Sequence, residues 1–202
     1  FLLNRSSDLE IDAEHVGDLN PYVHGLEIFA CQEDIPGTNY RDATTSKFYF
    51  RYQGADRDVG RCMAGNFSNA YPGAQGTPVR DGMLSLVKNK LLSGVTEAGI
   101  NQNFRIYWDG DLLEETFNYV NGKNTAGCVA KYGSWSPIYT CDGSMTNNDT
   151  KGTPCYQGDI LGDWREEIIM RTAQNNIRIY STPTAISRSE ERCVGKECRS
   201  RW

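Results

Sequence analysis

The chain has 202 residues, 39% of them apolar, and a formal net charge of −5. The acidic balance excludes a basic nucleic-acid-binding face, and no apolar run approaches the ~20 residues of a membrane-spanning helix. The length suffices for one domain with its own core. Because the sequence opens inside an apolar segment without an initiator methionine, we expect a fragment of a longer protein.

The last fifteen residues, 188–202, differ in composition from the rest. Eight of them are charged, and their order shows neither a helical nor a strand period. We interpret this segment as a non-native, adapter-like tail to be left out of fold reasoning, and a basic terminal arm is the alternative. Residues 1–187 then form the domain itself and keep five cysteines without a C-x-x-C pair, a pattern that argues against zinc.

Short apolar or alternating runs dominate the domain, and clusters of Gly, Asn, Asp and Pro separate them. β-branched and aromatic residues in such runs suit a pleated sheet surface. In chain order, strands are predicted at 26–31, 47–52, 83–87, 104–108, 167–172 and 177–180. Segment 109–119 is the one candidate helix and could equally lead into a strand. The sequence therefore predicts an all-β fold.

An acidic turn followed by an apolar strand recurs along the chain. The residue at the start of that strand is Glu27, Gln75, Glu115 and Glu167, at steps of 48, 40 and 52 residues. Such steps match the roughly 40 to 50 residues of a β-propeller blade, a four-stranded sheet that buries its faces against neighbouring blades. We therefore predict a β-propeller of which this chain supplies about four blades.

The recurring turns carry oxygen-rich side chains, and Ca²⁺ takes roughly six to eight oxygen ligands on flexible loops. The sequence therefore predicts Ca²⁺ as a cofactor, in a structural more than a catalytic role, because the acids lie at turns between strands. The candidate ligands are His15, Asp18, Asn20, Glu27, Asp109, Asp111, Glu115, Asp159, Asp163 and Glu167.

Two cationic side chains are candidates for chemistry. Lys151 lies in the long polar loop 141–153, and loops on a rigid scaffold often carry binding sites. Arg61 lies between two turn-like segments and could clamp a planar carboxylate with its forked donors. Trp108 and Trp135 could stack against sugar rings. The plainer alternatives are a surface lysine, an ion-pair partner of a nearby aspartate, and tryptophans that pack in the core.

Several motifs occur together in one order. The most specific is Asp-x-x-Gly-Asp-Trp-Arg-Glu-Glu, which ends at Glu167. The others are His15-Val-Gly-Asp-Leu-Asn-Pro, Asp58-Val-Gly-Arg61, Ile106-Tyr-Trp-Asp-Gly-Asp and Asn148-Asp-Thr-Lys-Gly-Thr. Their combination resembles the polysaccharide lyase family 11 rhamnogalacturonan lyases over roughly residues 12–183, which is nearly all of the domain.

This resemblance implies an eight-bladed, calcium-rich propeller that cleaves rhamnogalacturonan I, the pectin backbone of alternating rhamnose and galacturonate, by β-elimination. A base removes the C5 proton of the uronate and the rhamnosyl oxygen leaves C4, while a cation stabilises the charge that develops on the carboxylate. The family-like positions are Lys151, preferred as the base, Arg61 as the charge stabiliser, and Asn148 and Thr150 as substrate contacts.

The sequence departs from the family pattern in three places. Asp149 replaces a Gly, Glu10-Ile-Asp12 lacks an expected His, and Asn66 replaces an expected Asp, so two metal sites are in question.

Two alternatives stay open: a non-catalytic, calcium-stabilised propeller that binds glycan or protein, and a hydrolase with two carboxylates in one cleft. The expected partner is a pectic polysaccharide or oligosaccharide, without nucleic acid or a membrane span. The full-length protein is expected to be a monomer in an extracellular or periplasmic location.

Overall fold

The computed structural model of the chain describes residues 11–32, 37–52, 60–78, 82–92, 103–120, 125–134, 136–148 and 151–185. Fifteen β-strands form four antiparallel sheets, and the described residues contain no helix. The all-β prediction is therefore confirmed. Trp135, Thr150 and the tail 188–202 lie outside the described residues.

Each sheet is a meander in which consecutive strands pair. Sheet 1 contains β1 (Ile11–Gly17), β2 (Glu27–Gln32), β3 (Thr38–Asp42) and β4 (Phe48–Tyr52). Sheet 2 contains β5 (Cys62–Gly65), β6 (Gln75–Pro78), β7 (Leu84–Ser85) and β8 (Lys90–Leu91). Sheet 3 contains β9 (Phe104–Ile106), β10 (Glu115–Tyr119), β11 (Gly127–Ala130) and β12 (Tyr139–Thr140). Sheet 4 contains β13 (Tyr156–Gly158), β14 (Glu167–Arg171) and β15 (Ile177–Tyr180).

The six predicted strands correspond to β2, β4, β7, β9, β14 and β15. Segment 109–119 is a turn followed by β10, so the helical alternative for it is wrong. The strands that the sequence did not reveal are short or rich in Gly and polar residues, such as β6 (QGTP) and β13 (YQG). A strand of three or four residues is too short to show a two-residue period.

The first strands of neighbouring sheets lie side by side and run in the same direction. The middle residues of β9 and β13 meet where Gln157 Nε2 donates to the Arg105 carbonyl oxygen at 2.5 Å. Beyond the ends of β5 and β9, the Glu114 amide donates to the Asn66 carbonyl at 2.8 Å, and the Asn66 amide donates back to Glu114 Oε2 at 2.7 Å. The turns that follow the first strands therefore lie at one edge of the assembly.

The core consists of clusters between consecutive sheets. Sheets 1 and 2 share a cluster that includes Phe29, Tyr40 and Leu84, and sheets 3 and 4 share one that includes Phe117 and Met170. A smaller cluster around Met63 and Met83, with Tyr132 packed against it, joins sheets 2 and 3. Each sheet is therefore stabilised by its neighbours in the chain rather than by a single central core.

The five cysteines that the structure describes are all free thiols. Cys128 and Cys141 are buried, and burial raises the pKa of Cys128 to about 11 and that of Cys141 to about 12. Both are therefore unreactive thiols at neutral pH. In the described part of the chain, no helix has the length and apolar composition that crossing a membrane would require.

Candidate functional site

The first residue of the second strand closes the preceding turn in every sheet. One side-chain oxygen of this residue accepts two backbone N–H groups of the turn. The pairs are Glu27 with Leu19 and Asn20 (2.9 and 3.1 Å), Gln75 with Phe67 and Ser68 (both 2.9 Å), Glu115 with Trp108 and Asp109 (2.9 and 3.4 Å), and Glu167 with Ile160 and Leu161 (2.8 and 3.1 Å). The repeat seen in the sequence spacing is thus also a repeat of hydrogen-bond geometry. The first three turns differ in the partner of the other side-chain oxygen or nitrogen of the closing residue.

In the first turn, the second atom has no partner. Glu27 is 0% exposed, and its Oε1 has no hydrogen bond among the described residues. Burial raises the pKa of Glu27, the Asn20 and Leu19 amides oppose this, and the nearby charges of Asp18 and Asp42 raise it further. Because an unpartnered buried carboxylate oxygen is costly, this turn fits a bound cation such as Ca²⁺.

Two other predicted ligands flank the first turn. Asn20 Oδ1 accepts the Tyr22 amide at 3.1 Å, and His15 Nε2 lies 2.9 Å from the Cys62 carbonyl oxygen. Burial lowers the pKa of His15, the Cys62 carbonyl opposes this, and the Arg105 charge lowers it again. These surroundings favour the neutral form of the His15 imidazole. The roles of both residues as metal ligands stay predictions.

In the second turn, the closing residue supplies its own donor. Gln75 is fully buried, and its Nε2 donates to the Gly73 carbonyl at 2.6 Å and to the Tyr71 carbonyl at 3.4 Å. The amide therefore satisfies backbone oxygens from inside the turn.

The third turn contains three predicted ligands, Asp109, Asp111 and Glu115, whose carboxylate oxygens lie within 4.8 Å of one another. Such a triad could bind a metal ion. The Nζ of Lys131 lies in the same place, 2.6 Å from Asp109 Oδ2, 2.9 Å from Asp111 Oδ2 and 2.6 Å from Glu115 Oε1. Burial opposes the charge of Lys131, but the hydrogen bonds to the three carboxylates outweigh it and raise its pKa.

In the fourth turn, the carboxylates of Asp159 and Asp163 accept hydrogen bonds from protein donors. Asp159 Oδ1 accepts the amides of Gly162 and Asp163 at 2.7 and 3.1 Å, and its Oδ2 accepts the Trp164 amide at 3.1 Å. Arg165 Nη2 lies 2.6 Å from Asp163 Oδ2, and this bond lowers the pKa of Asp163. The predicted ligands are thus distributed over three separate turns and do not form one centre.

Lys151 lies in a loop whose backbone is held from two sides. Its carbonyl oxygen accepts Asn103 Nδ2 at 2.9 Å, and its amide donates to Asn148 Oδ1 at 3.1 Å. Gly152 has a φ of 57° and lies so close to Asn118 that a Cβ at this position would overlap it. The Lys151 backbone is therefore fixed, and its side chain is partly exposed.

Arg61 and Lys151 both precede a first strand. Arg61 comes directly before β5, and the bond between Asn103 and Lys151 joins the segment before β9 to the loop before β13. Because β5 contacts β9 and the first strands run in one direction, both cations belong to the edge opposite the four turns. Their catalytic roles stay predictions, as does substrate contact by Asn148.

Trp108 is 3% exposed and packs on Tyr139, with ring centroids 4.7 Å apart. It borders a hollow of about 410 Å³ that Asp109, Asp111 and Ile138 also line. Contact with a sugar at this position would therefore involve the rim of the hollow more than the indole face.

A larger cleft of about 710 Å³ lies at the edge that carries the turns. It is lined by residues of the turns after β1, β5, β9 and β13, including the aromatic residues Tyr22, Tyr71 and Trp164. Arg105 reaches this cleft but is paired with Glu114, which is buried. This cleft could not be predicted from local sequence, because its lining comes from four sheets.

The sequence also did not reveal Lys131 or the contacts that Glu114 and Glu166 make with neighbouring sheets. Lys131 follows the third strand of its sheet, 16 residues after Glu115, so only the pairing of β10 with β11 brings it to the triad. Glu166 Oε2 accepts the Tyr107 amide at 3.0 Å, the counterpart of the Glu114 bond to Asn66. The third and fourth turns each end in two adjacent glutamates. The first of the two bonds to the neighbouring sheet, and the second closes its own turn.

Residues 3–194 match the profile described as the rhamnogalacturonan lyase family 11, C-terminal domain. The chain therefore belongs to this family.

Two curated relatives come from Bacillus subtilis (strain 168). The rhamnogalacturonan endolyase YesW is 40% identical over 177 residues, which are 85% of this chain and 27% of the relative. The rhamnogalacturonan exolyase YesX is 37% identical over 187 residues, 85% of this chain and 30% of the relative. The chain thus spans less than a third of the relatives' length.

Solved structures give the same result for the fold. The crystal structure of YesW superposes with a TM-score of 0.75 and 34% sequence identity, covering 89% of this chain and 30% of YesW. The Bacillus licheniformis rhamnogalacturonan lyase PL11 superposes with a TM-score of 0.73 at the same identity, covering 86% of this chain and 29% of that protein.

Proposed function

We propose that the chain is part of a rhamnogalacturonan lyase that cleaves the bond between rhamnose and galacturonate in pectin by β-elimination. The observation that carries this proposal is the Lys151 loop, held by Asn103 and Asn148, in a chain that belongs to lyase family 11. The four sheets with parallel first strands support the further proposal that they are blades of a β-propeller completed by other parts of a longer protein.

In the proposed reaction, the Lys151 amine takes the proton from C5 of galacturonate. The electrons of that C–H bond form the C4–C5 double bond, and the bond from C4 to the rhamnosyl oxygen breaks, with a proton completing the leaving hydroxyl. Arg61 would hold the uronate carboxylate through its forked donors and stabilise the developing charge. Asn148 and Thr150 would contact the sugar.

Calcium fits the first turn, where Glu27 offers a buried oxygen without a hydrogen bond among the described residues and the charge of Asp18 lies nearby. These residues would hold the ion, which would neutralise their charge and rigidify the turn. Because the turns lie at the edge opposite Lys151, we assign this ion a structural role.

The test uses the complete protein and rhamnogalacturonan I. We expect products with an unsaturated uronate end, detected by their ultraviolet absorbance, and loss of this signal in Lys151→Ala. Lys88→Ala, which removes an exposed lysine from the turn between β7 and β8, is the matched control. Products without a double bond would refute the lyase mechanism, and normal turnover in Lys151→Ala would refute its base.

The aromatic cleft at the turn edge supports one alternative, a calcium-stabilised propeller that binds glycan without cleaving it. It would retain rhamnogalacturonan in a pull-down and release no unsaturated product. A polymeric substrate also leads us to propose an extracellular or periplasmic location, which fractionation of the source cells would test.

A further inference from the structure

We propose that Lys131 is the resident cation of the third turn, so that an ammonium group takes the place there that Ca²⁺ would take in the first turn under the proposed function. This role of Lys131 in neutralising the turn does not depend on the catalytic role proposed for Lys151.

The hydrogens of the Lys131 ammonium group match the carboxylate oxygens around it in number. An ammonium group has three hydrogens, and Nζ of Lys131 meets one oxygen from each of Asp109, Asp111 and Glu115. The other oxygen of each carboxylate accepts backbone amides, those of Asp111, of Leu113, and of Trp108 with Asp109. All six oxygens therefore have a protein donor, whereas Glu27 Oε1 in the first turn has none among the described residues.

The position of Lys131 in the sheet supports the same role. Thr116 pairs with Ala130, so Lys131 lies across from Glu115 when the antiparallel register is extended by one residue. In sheet 1, the residue across from Glu27 is Asp42. The position across from the closing glutamate is thus a cation in sheet 3, where every carboxylate oxygen has a donor. It is an anion in sheet 1, where one oxygen of Glu27 has no donor among the described residues.

The second turn provides an independent case. The position across from Gln75 is the uncharged Ser85, and the closing residue is itself an amide that donates to two backbone carbonyls of the turn. The fold therefore closes this turn with a protein hydrogen-bond donor as well. Metal dependence should differ from sheet to sheet, with the third and second turns independent of Ca²⁺.

The test removes the ammonium from the complete protein. Lys131→Met keeps the length of the side chain and leaves the triad of carboxylates without a cation. We expect the variant, saturated with Ca²⁺ and then desalted, to retain one more Ca²⁺ per chain than the wild type by elemental analysis. Lys90→Met, at an exposed position on β8, is the matched control and should retain the wild-type number. An unchanged Ca²⁺ content in folded Lys131→Met would overturn the proposal.

Two further measurements decide the question if Lys131→Met does not fold. Acetylation of the wild type, read by mass spectrometry, should leave Lys131 protected both in chelator and in Ca²⁺. Reactivity of Lys131 that rises on adding Ca²⁺ would mean that a metal displaces it, and the proposal would be wrong. Gln75→Glu should likewise gain one Ca²⁺ per chain, because it exchanges an amide donor for a carboxylate oxygen beside two carbonyls.

Discussion

At the scale of single residues, the first residue of the second strand accepts hydrogen bonds from the preceding turn in all four sheets. The partner of its other side-chain atom is supplied by the surroundings. Glu27, Gln75, Glu115 and Glu167 all accept two amides from the turn before them. In the first three sheets, the second atom has no hydrogen-bond partner among the described residues, donates to backbone carbonyls, and meets Lys131, respectively. Turns with a similar sequence pattern therefore differ in the charges and donors that surround the closing residue.

The spacing of the acids predicted these four positions, because each Glu or Gln lies a few residues after its own turn. It could not predict Lys131, whose contact with Glu115 depends on strand pairing. It also could not separate Asp163, which pairs with Arg165, from Asp18, which lies near an unsatisfied carboxylate. Local sequence defines the turn, but strand pairing decides whether a charge that is distant in sequence, such as Lys131, reaches it.

Asn103 is a positioning residue for the proposed base. Its Nδ2 holds the Lys151 carbonyl at 2.9 Å. In Asn103→Asp a carboxylate oxygen would face that carbonyl, and the loop would move away. Because small displacements of a catalytic group cost up to about 100-fold in rate, we expect kcat to fall by roughly 10- to 100-fold with little change in KM and in melting temperature.

Steady-state kinetics on rhamnogalacturonan I, measured with the complete protein, check this expectation. Asn176→Asp, in the exposed turn between β14 and β15, is the matched control. If Asn103→Asp keeps the wild-type kcat while Lys151→Ala is inactive, Asn103 does not position the base. Activity in Lys151→Ala would instead contradict the base itself.

At the scale of elements, the sheets are joined where a large side chain of one lies against a glycine of the next. A Cβ on Gly76 of β6 would overlap the ring of Phe29 of β2, and a Cβ on Gly127 of β11 would lie only 3.1 Å from Met170 Cε of β14. This explains why the sequence did not reveal β6. Its burial comes from Phe29 on another sheet, whereas β2 and β14 carry enough apolar residues of their own to be predicted.

Gly76→Ala should therefore destabilise the protein through overpacking and not through backbone strain, since Gly76 is not among the glycines with positive φ. Adding volume to a close-packed contact costs about 1–3 kcal/mol, and we expect a loss of that size in chemical denaturation. Gly17→Ala is the matched control, because the nearest atom to its added Cβ would be Leu19 Cδ2 at an ordinary 3.5 Å. Adding Phe29→Leu to Gly76→Ala should restore part of the stability, and an equal loss in both single variants would contradict the packing argument.

At the scale of the whole molecule, sheet 4 is apolar on both faces. Ile168, Met170 and Tyr180 are buried against sheet 3. On the other face, Tyr156 pairs with Ile169 and Ile169 with Ile179, and both Tyr156 and Ile179 are exposed. A strand with apolar residues on both faces is typical of a sheet that is covered on both sides. The sequence showed this pattern in β14 but could not show what covers the second face.

We expect this face to make the 202-residue chain associate when it is studied alone, because contiguous exposed apolar surface favours contact with other surfaces. Ile177→Thr with Ile179→Thr keeps β-branched residues that suit a strand while removing apolar area from the face. The double variant should shift the chain towards monomer in analytical ultracentrifugation and bind less of an environment-sensitive apolar dye, with unchanged circular dichroism. Thr172→Val, at a buried polar position directly after β14, is the control and should not reduce association. A wild-type chain that is monomeric and does not bind the dye would show that this face needs no cover, and the proposal that further blades complete the assembly would lose its support from sheet 4.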